Sequence, residues 1–533
     1  MKNVINSTIS MKKLCLFLLC GLLFVVGCNK PERTEPEETV PEKTEPEKTE
    51  PEKTLTSGTT GDLTWLLENG TLTISGTGAM PDYQILSLSY LSGGTTAPWY
   101  KYRDNITSVI IGDEISAIGT LAFNDCAKIV SVIIGKSVTS IATSAFQYCR
   151  SLMSIDVDNS NTVYCSEDGV LFNKAKTTLI IYPAVKAGAY TIPNSVKSIG
   201  DGAFSICSGL TSVIIPNTVT SIGNGAFAGC RSLTSVTIPN MVTSIGNAAF
   251  SGCSSLTSVT IPNSITSIED WSFRDCSRLT SVSIPNSVMS IGNGAFYSSG
   301  LMSVTIPNLV TSIGIEAFGN CSGLTFINVD NGNTAYSSED GVLFNKTKTS
   351  LILYPGGKTG AYTIPNSVKS IENYAFAEHT KLTTVSFSIS VTDIGIGAFA
   401  YCTGLTSVTI GNSVLNIGQG AFQYCDGLKS VIIGNSVESI GEYAFFRCSS
   451  LSSVTISNSV ITIGNQAFYY CSGLTEIINQ KEIPQTLPKT WLGDIIVFDG
   501  VNTSTCTLRV PAASVAAYRV AEGWKDFKNI VAI

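Results

Sequence analysis

From Ile106 onward, hydrophobic and polar positions recur with one fixed period. A typical unit runs Leu233-Thr-Ser-Val-Thr-Ile-Pro-Asn-Met-Val-Thr-Ser-Ile-Gly-Asn-Ala-Ala-Phe-Ser-Gly-Cys253. Its phenylalanine is a marker that returns at 123, 146, 204, 227, 250, 273, 296, 318, 376, 399, 422, 445 and 468. Most intervals are 23 residues, one (296 to 318) is 22, and two are 58, which is 23 plus a 35-residue insertion. A fixed period of this length signals a solenoid, a stack of similar coils.

One coil can be read physically. Leu233, Val236 and Ile238 alternate with Ser and Thr, so Val236-Thr237-Ile238 predicts a short strand with its apolar face inward. Pro239 ends that strand because it has no N–H for the ladder. Met241 to Ile245 predicts a second extended stretch, turned by Gly246. Ala249-Phe250 and Cys253 are expected to close the coil as a helical turn. No coil can bury its own Leu, Val, Ile and Phe alone, so neighbours must stack and share a continuous core. Thirteen coils at about 4.8 Å each make a body roughly 60 Å long before the insertions are counted.

The insertions, at about 155-192 and 327-364, are copies of each other. The stretches Asp156 to Ile199 and Asn328 to Ile371 share Ser-Glu-Asp-Gly-Val-Leu-Phe-Asn-Lys and Gly-Ala-Tyr-Thr-Ile-Pro-Asn-Ser-Val-Lys-Ser-Ile. Asp168-Gly169 and Asp340-Gly341 precede Val-Leu-Phe in each, which predicts hairpin turns needing positive φ. The two copies lie 172 residues apart, which points to duplication of a large block.

Ahead of the repeats the chain changes character. Met11-Lys12-Lys13 followed by Leu14 to Val26 reads as a basic n-region and an apolar h-region too short to span a bilayer, hence a signal peptide. The ten residues before Met11 do not fit an n-region, so Met11 is the better start. Val25-Val26-Gly27-Cys28 resembles the lipobox of bacterial lipoproteins, which implies acylation of the Cys28 thiol. Residues 31–54 are a near-repeat of Pro-Glu-Lys-Thr-Glu with no aromatic residue, a composition that cannot bury a core and predicts an extended stalk. In polyproline II geometry it would reach roughly 70 Å. The net charge is -7, and this stretch carries nine Glu against four Arg and Lys, so the rest of the chain holds only about -2. A nucleic-acid partner is excluded, because phosphate binding needs a clustered basic face.

The repeat resembles the BspA-like class of bacterial leucine-rich repeat proteins through Leu-Thr-Ser-Val-Thr-Ile-Pro, Ser-Ile-Gly and Ala-Phe-x-x-Cys. The flanks look similar too. Asp62 to Pro81 with Ala97-Pro-Trp-Tyr100 resembles that family's N-terminal cap. Thr507-Leu-Arg-Val-Pro511, Tyr518 and Gly523-Trp-Lys-Asp-Phe527 resemble its C-terminal cap. The resemblance implies a surface protein of host-associated bacteria that binds host or neighbouring-cell macromolecules. The expected organisation is a signal peptide (1-27), lipidated Cys28 and stalk (28-55), N-terminal β cap (56-105), leucine-rich repeat solenoid with short parallel strands (106-476) and C-terminal cap (477-533).

Little in the chain suggests catalysis. Eleven of sixteen cysteines sit three residues after the marker phenylalanine, with Ser299 and His379 in the same slot of two other coils. They read as buried packing thiols and not as disulfides or zinc ligands, since the side chains run parallel and no pair has Cys-x-x-Cys spacing. His379 is the only histidine, and a core slot marks it as structural. Asp156, Asp158, Ser160, Thr162 and Glu167 have calcium-loop spacing, but Asn161 stands where glycine is needed, so a turn is the better account. No cofactor is implied.

Candidate binding residues lie two positions after the marker, where the last four coils carry Tyr401, Tyr424, Arg447 and Tyr470. Stacked in register they would form a stripe of the residue types most enriched in binding hot spots. The alternative is that each tyrosine shields the core of the next coil. The functional expectation is a surface lipoprotein anchored to the outer membrane through Cys28, binding host matrix or plasma glycoproteins or other bacterial cells. A glycan-capture lipoprotein of a nutrient-uptake system is the alternative.

Overall fold

The computed structural model describes residues 55–86 and 94–533. The expected signal segment 1–27, Cys28 and the stalk as far as Thr54 lie outside the described residues. What is described is a stack of coils, most of them built on two short strands; the coil at 279–299 keeps only the second, Ser290–Ile291. Ser235–Thr237 pairs in parallel with Ser258–Thr260 at a register of 23 residues, and Ser244–Ile245 pairs with Ser221–Ile222 in the same way. Leu233, Val236, Ile238, Val242, Ile245, Ala249, Phe250 and Cys253 all point inward and are buried. Hydroxyls tie the coils together outside. Thr234 donates to the Thr211 carbonyl at 3.3 Å and Thr257 to that of Thr234 at 3.0 Å.

The marker phenylalanines form a stacked column, with Phe227, Phe250 and Phe273 spaced 5.2 and 5.5 Å apart and tilted by only 2°. The column extends into both flanks. Trp99 stacks on Phe123 at 5.7 Å and Phe498 on Phe468 at 5.5 Å. At the N-terminal end β1 (Leu55–Thr60), β2 (Leu63–Glu68) and β3 (Thr71–Ser75) pair antiparallel, and β3 then pairs in parallel with Ser108–Ile111. At the other end Glu476–Asn479, Thr507–Val510 and Asn529–Ala532 continue the parallel sheet.

The corner that carries the marker is not the helical turn its sequence suggests. Residues two before and two after Phe250, Ala248 and Gly252, have φ of 54° and 72°. Left-handed residues alternating with right-handed ones turn alternate N–H groups the same way, out of the coil, where a helix would have bonded them internally. Phe250 N–H accordingly donates to Ser272 O of the next coil at 2.9 Å, and Gly252 N–H to Arg274 O at 2.7 Å. This is a third inter-coil ladder. It runs one way, donors facing the C-terminal end.

Each insertion adds a rung as well as a hairpin. Tyr164–Glu167 and Val170–Asn173 are joined by Asp168-Gly169 with φ of 49° and 74°, and the second copy repeats this with Asp340-Gly341 at 48° and 76°. Both central residues having positive φ is the turn that matches strand twist in a two-residue hairpin. Thr178–Ile181 then pairs in parallel with Ser198–Ile199, and Gly188–Thr191 with Leu210–Ile214. Tyr182 and Tyr354 take the marker's place in these rungs, the first packed at a tilt on Phe204 at 4.9 Å and the second stacked on Phe376 at 5.0 Å. The core falls into three packed bodies that meet at the two hairpins.

Candidate binding surface

The four residues singled out two positions past the marker do come together as one row. Tyr401 and Tyr424 stack at 4.6 Å with 7° between their planes. The Arg447 guanidinium lies 5.8 Å from the Tyr424 ring and 5.4 Å from the Tyr470 ring. Tyr401 and Tyr424 are half-buried, and burial pushes the Tyr401 phenol above its ordinary range. Arg447 and Tyr470 are exposed. The row therefore both shields its neighbours and presents a surface. The adjacent position adds Phe446 and Tyr469, stacked at 5.4 Å, which the sequence reading missed although they repeat at the same 23-residue spacing.

All four residues occupy left-handed backbone, with φ between 55° and 59°. That conformation costs an ordinary residue roughly 1–2 kcal/mol and suits glycine, which stands there in Gly229 and Gly252. The same slot is left-handed in the other coils as well, at Asp125, Tyr148, Ile206, Asp275, Ser298 and Glu378 among them, so the conformation belongs to the coil and does not single out these four residues.

The corner beside each insertion is the second feature. At the first copy the stack leaves a hollow of about 760 Å³, lined by Ser144, Tyr148, Tyr182, Gly202, Ser205 and Ile206 among others. At the second copy the same place is plugged. The Tyr297 hydroxyl donates to Glu378 Oε1 at 2.6 Å across 81 residues of sequence. Burial first, and then the Glu378 charge, push the Glu316 carboxyl up to about 8, while the Arg274 guanidinium opposes the shift. Burial also raises Glu378, whose Oε2 has no hydrogen-bond partner. Arg274 lies over Trp271 and Tyr297 at 5.1 and 5.7 Å. Gly294, at φ +55°, leaves room for the Trp271 ring, which a Cβ there would approach to 2.0 Å.

The remaining candidates have structural work. His379 is buried and its Nε2 donates to the Pro355 carbonyl at 2.8 Å, with burial holding its pKa down. The ladder thiols do the same job in their coils: Cys253 Sγ reaches the Phe227 carbonyl at 3.2 Å, and Cys402 that of Phe376 at 3.0 Å. Burial pushes the Cys402 thiol up to about 12, which makes it a poor nucleophile. The thirteen cysteines among the described residues are free. In the stretch with calcium-like spacing, Asp158 Oδ1 accepts Ser160 N–H at 2.7 Å. The buried Asn161 donates to the Gly135 and Val138 carbonyls and accepts from the Val163 and Tyr164 amides. These oxygens are committed to a turn. No helix among the described residues is long and apolar enough to cross a membrane.

Several solved structures are similar to this chain. A leucine rich cell surface protein from Faecalibacterium prausnitzii A2-165 is 27% identical, with 83% of this chain and 98% of that one covered and a TM-score of 0.47. A leucine-rich repeat protein from Eubacterium ventriosum ATCC 27560 is 25% identical over 84% and 95% of the two chains, with a TM-score of 0.41. The pneumococcal vaccine antigen PcpA is 19% identical over 90% and 98%, with a TM-score of 0.48. No curated protein matches the chain. The family profile described as BspA type Leucine rich repeat region (6 copies) matches residues 98–184, 181–299, 244–358 and 354–475, most of the chain. With the 23-residue coils, the phenylalanine column and the parallel ladders, this places the protein in the BspA-type leucine-rich repeat family.

Proposed function

We propose that this chain is a binding or adhesion module of the cell surface and not a catalyst. It is exported, lipid-anchored to the outer membrane through Cys28, and holds an extracellular protein or glycoprotein on the stripe of Tyr401, Tyr424, Arg447 and Tyr470. The observation that carries this reading is the row of four large side chains in register, two tyrosines stacked face to face and a guanidinium between two tyrosine rings. Tyrosine and arginine offer large contact area with a polar handle, and rigid stacking lowers the entropy lost on binding. The stacking also speaks against glycan capture here, because a sugar packs on a free aromatic face and the Tyr401 and Tyr424 faces meet each other.

The test is a pull-down with the ectodomain from a set of matrix, plasma and bacterial surface proteins, repeated with Tyr401, Tyr424 and Tyr470 changed together to Ser. Affinity for the retained partner should fall at least tenfold while the melting temperature moves by only a few degrees. Unchanged affinity, or a collapse in stability, would sink the stripe as a contact. Separately, Cys28→Ser should move the full chain from the detergent to the aqueous phase without altering the melting of the repeats. A mutant that still partitions into detergent would place the anchor elsewhere.

A further inference from the structure

We propose that the open hollow at the first insertion is a second binding site, which takes an extended peptide segment of a partner protein as a substitute for a missing corner rung. The insertion interrupts three inter-coil ladders; its own residues continue one of them and cap a second with a single hydroxyl. On one sheet, Ile155 N–H finds the Gly169 carbonyl at 2.9 Å and Val157 N–H the Ser166 hydroxyl at 3.1 Å. On the other, the Tyr164 hydroxyl meets the Thr139 carbonyl at 3.4 Å. The corner ladder is not closed. Phe123 and Asp125 donate normally to Ala145 O and Gln147 O, but the next amides in line, Phe146 and Tyr148, have no hydrogen-bond acceptor among the described residues.

Across the hollow, Tyr182 N–H reaches Ala203 O, while among the described residues the Asp201 and Ser205 carbonyls lack the amide donors that their equivalents Asn224 and Ala228 receive from Gly202 and Ile206, Ser205 O meeting only the Cys207 thiol at 3.9 Å. One lip offers N–H groups and the other C=O groups. A peptide backbone can satisfy both at once, whereas an anion would use only the donors. Unpaired backbone groups in a recess keep their desolvation cost until something bonds them, and strand addition is a recurrent way to do so. The volume of about 760 Å³ suits a few residues. At the second insertion the Phe318 and Asn320 amides are left without an acceptor among the described residues in the same way, but there the side chains of Tyr297, Glu316 and Glu378 fill the corner, so the first copy is the one with room for a partner.

The test uses the full chain and a phage-displayed library of random twelve-residue peptides, with Ser205→Trp as the counter-selected variant that fills the hollow. Enriched peptides should bind the wild type, lose at least tenfold on Ser205→Trp, and bind the Tyr401/Tyr424/Tyr470 triple variant unchanged. They should also slow hydrogen exchange across residues 144–148. If Ser205→Trp melts early, Ser144→Trp fills the hollow from the opposite lip and replaces it. No enrichment over the filled variant, binding that leaves exchange at 144–148 unaltered, or loss on the stripe variant would each overturn the proposal. So would a hollow that accepts only a synthetic peptide of residues 31–54, or one that only a second copy of the chain occupies, seen as a dimer in light scattering that Ser205→Trp abolishes.

Discussion

Residues 164–173 and 336–345 fold into the same hairpin, with the same Asp-Gly turn and the same buried asparagine beside it, yet the corners they interrupt differ. Asn161 and Asn333 each donate to two carbonyls of the preceding coil and accept two amides of their own turn. That shared device fixes how the hairpin leaves the stack. Nothing in it dictates what happens at the corner, and there Ser144, Gly202 and Ile206 in the first copy face Glu316, Tyr374 and Glu378 in the second. Shorter side chains leave a hollow, and long polar or aromatic ones close it. A duplicated block can thus keep one fold while its two corners diverge toward an open site and an internal latch.

The largest effect expected from this difference concerns the phenylalanine column. Phe250 is stacked on both sides, so Phe250→Ala should cost about 3–5 kcal/mol by leaving a cavity between coils. Phe146 stacks on Phe123 at 5.2 Å and on its other side borders the hollow. Part of its surroundings is already empty, so Phe146→Ala should cost about half as much in denaturant unfolding. Equal losses would mean that the first corner is as well packed as an interior rung.

The second corner should respond to pH where the first does not. Glu316 is held protonated to about 8 in the fold, against an ordinary 4.5. The unfolded chain releases that proton first, so stability is full below about 4.5 and declines as pH rises through 8. Glu378, raised in the same sense, adds to the decline, and Arg274 is the cation that limits it. Melting temperature should therefore fall between pH 5 and pH 8, and Glu316→Gln should flatten the slope. Hydrogen exchange around Tyr297 and Glu378 should quicken over the same range. A variant as pH-sensitive as the wild type would remove Glu316 from the account.

How much of this could be read from the chain follows from which interactions are periodic. The 23-residue spacing of Leu233, Val236, Ile245 and Phe250 was enough for the solenoid, its parallel strands and its buried thiols, because every coil repeats the same contact with its neighbour. The Asp-Gly pairs were enough for the hairpins. The corner was misread as helical because Ala249-Phe250 suits a helix, while the left-handed turns beside it use Ala248, Tyr424 and Arg447 as readily as glycine. No residue type announces them. The row of Tyr401 to Tyr470 was visible as spacing, although its stacked geometry was not. The latch escaped notice because Tyr297 and Glu378 are 81 residues apart and meet once. The phenylalanine substitutes Tyr182 and Tyr354 were hidden inside the insertions, two residues short of the usual corner length.

The smallest effect expected is at the thiol ladder, where a rung away from both insertions sets the baseline. Cys253 is buried, and its thiol is a weak donor to the Phe227 carbonyl at 3.2 Å. That carbonyl loses little if the thiol goes, because Cys230 N–H already bonds it at 3.2 Å within its own coil. Cys253→Ala then removes one sulfur's packing and one weak hydrogen bond, for about 1 kcal/mol. His379, in the same slot after the second insertion, makes a shorter bond to Pro355 O and fills more volume, so His379→Ala should cost more. Thiol titration of the denatured protein without reductant should recover most ladder cysteines as free thiols. A Cys253→Ala loss as large as that of Phe250→Ala, or few free thiols, would show that sulfur cross-links the coils and that stacking alone does not hold them.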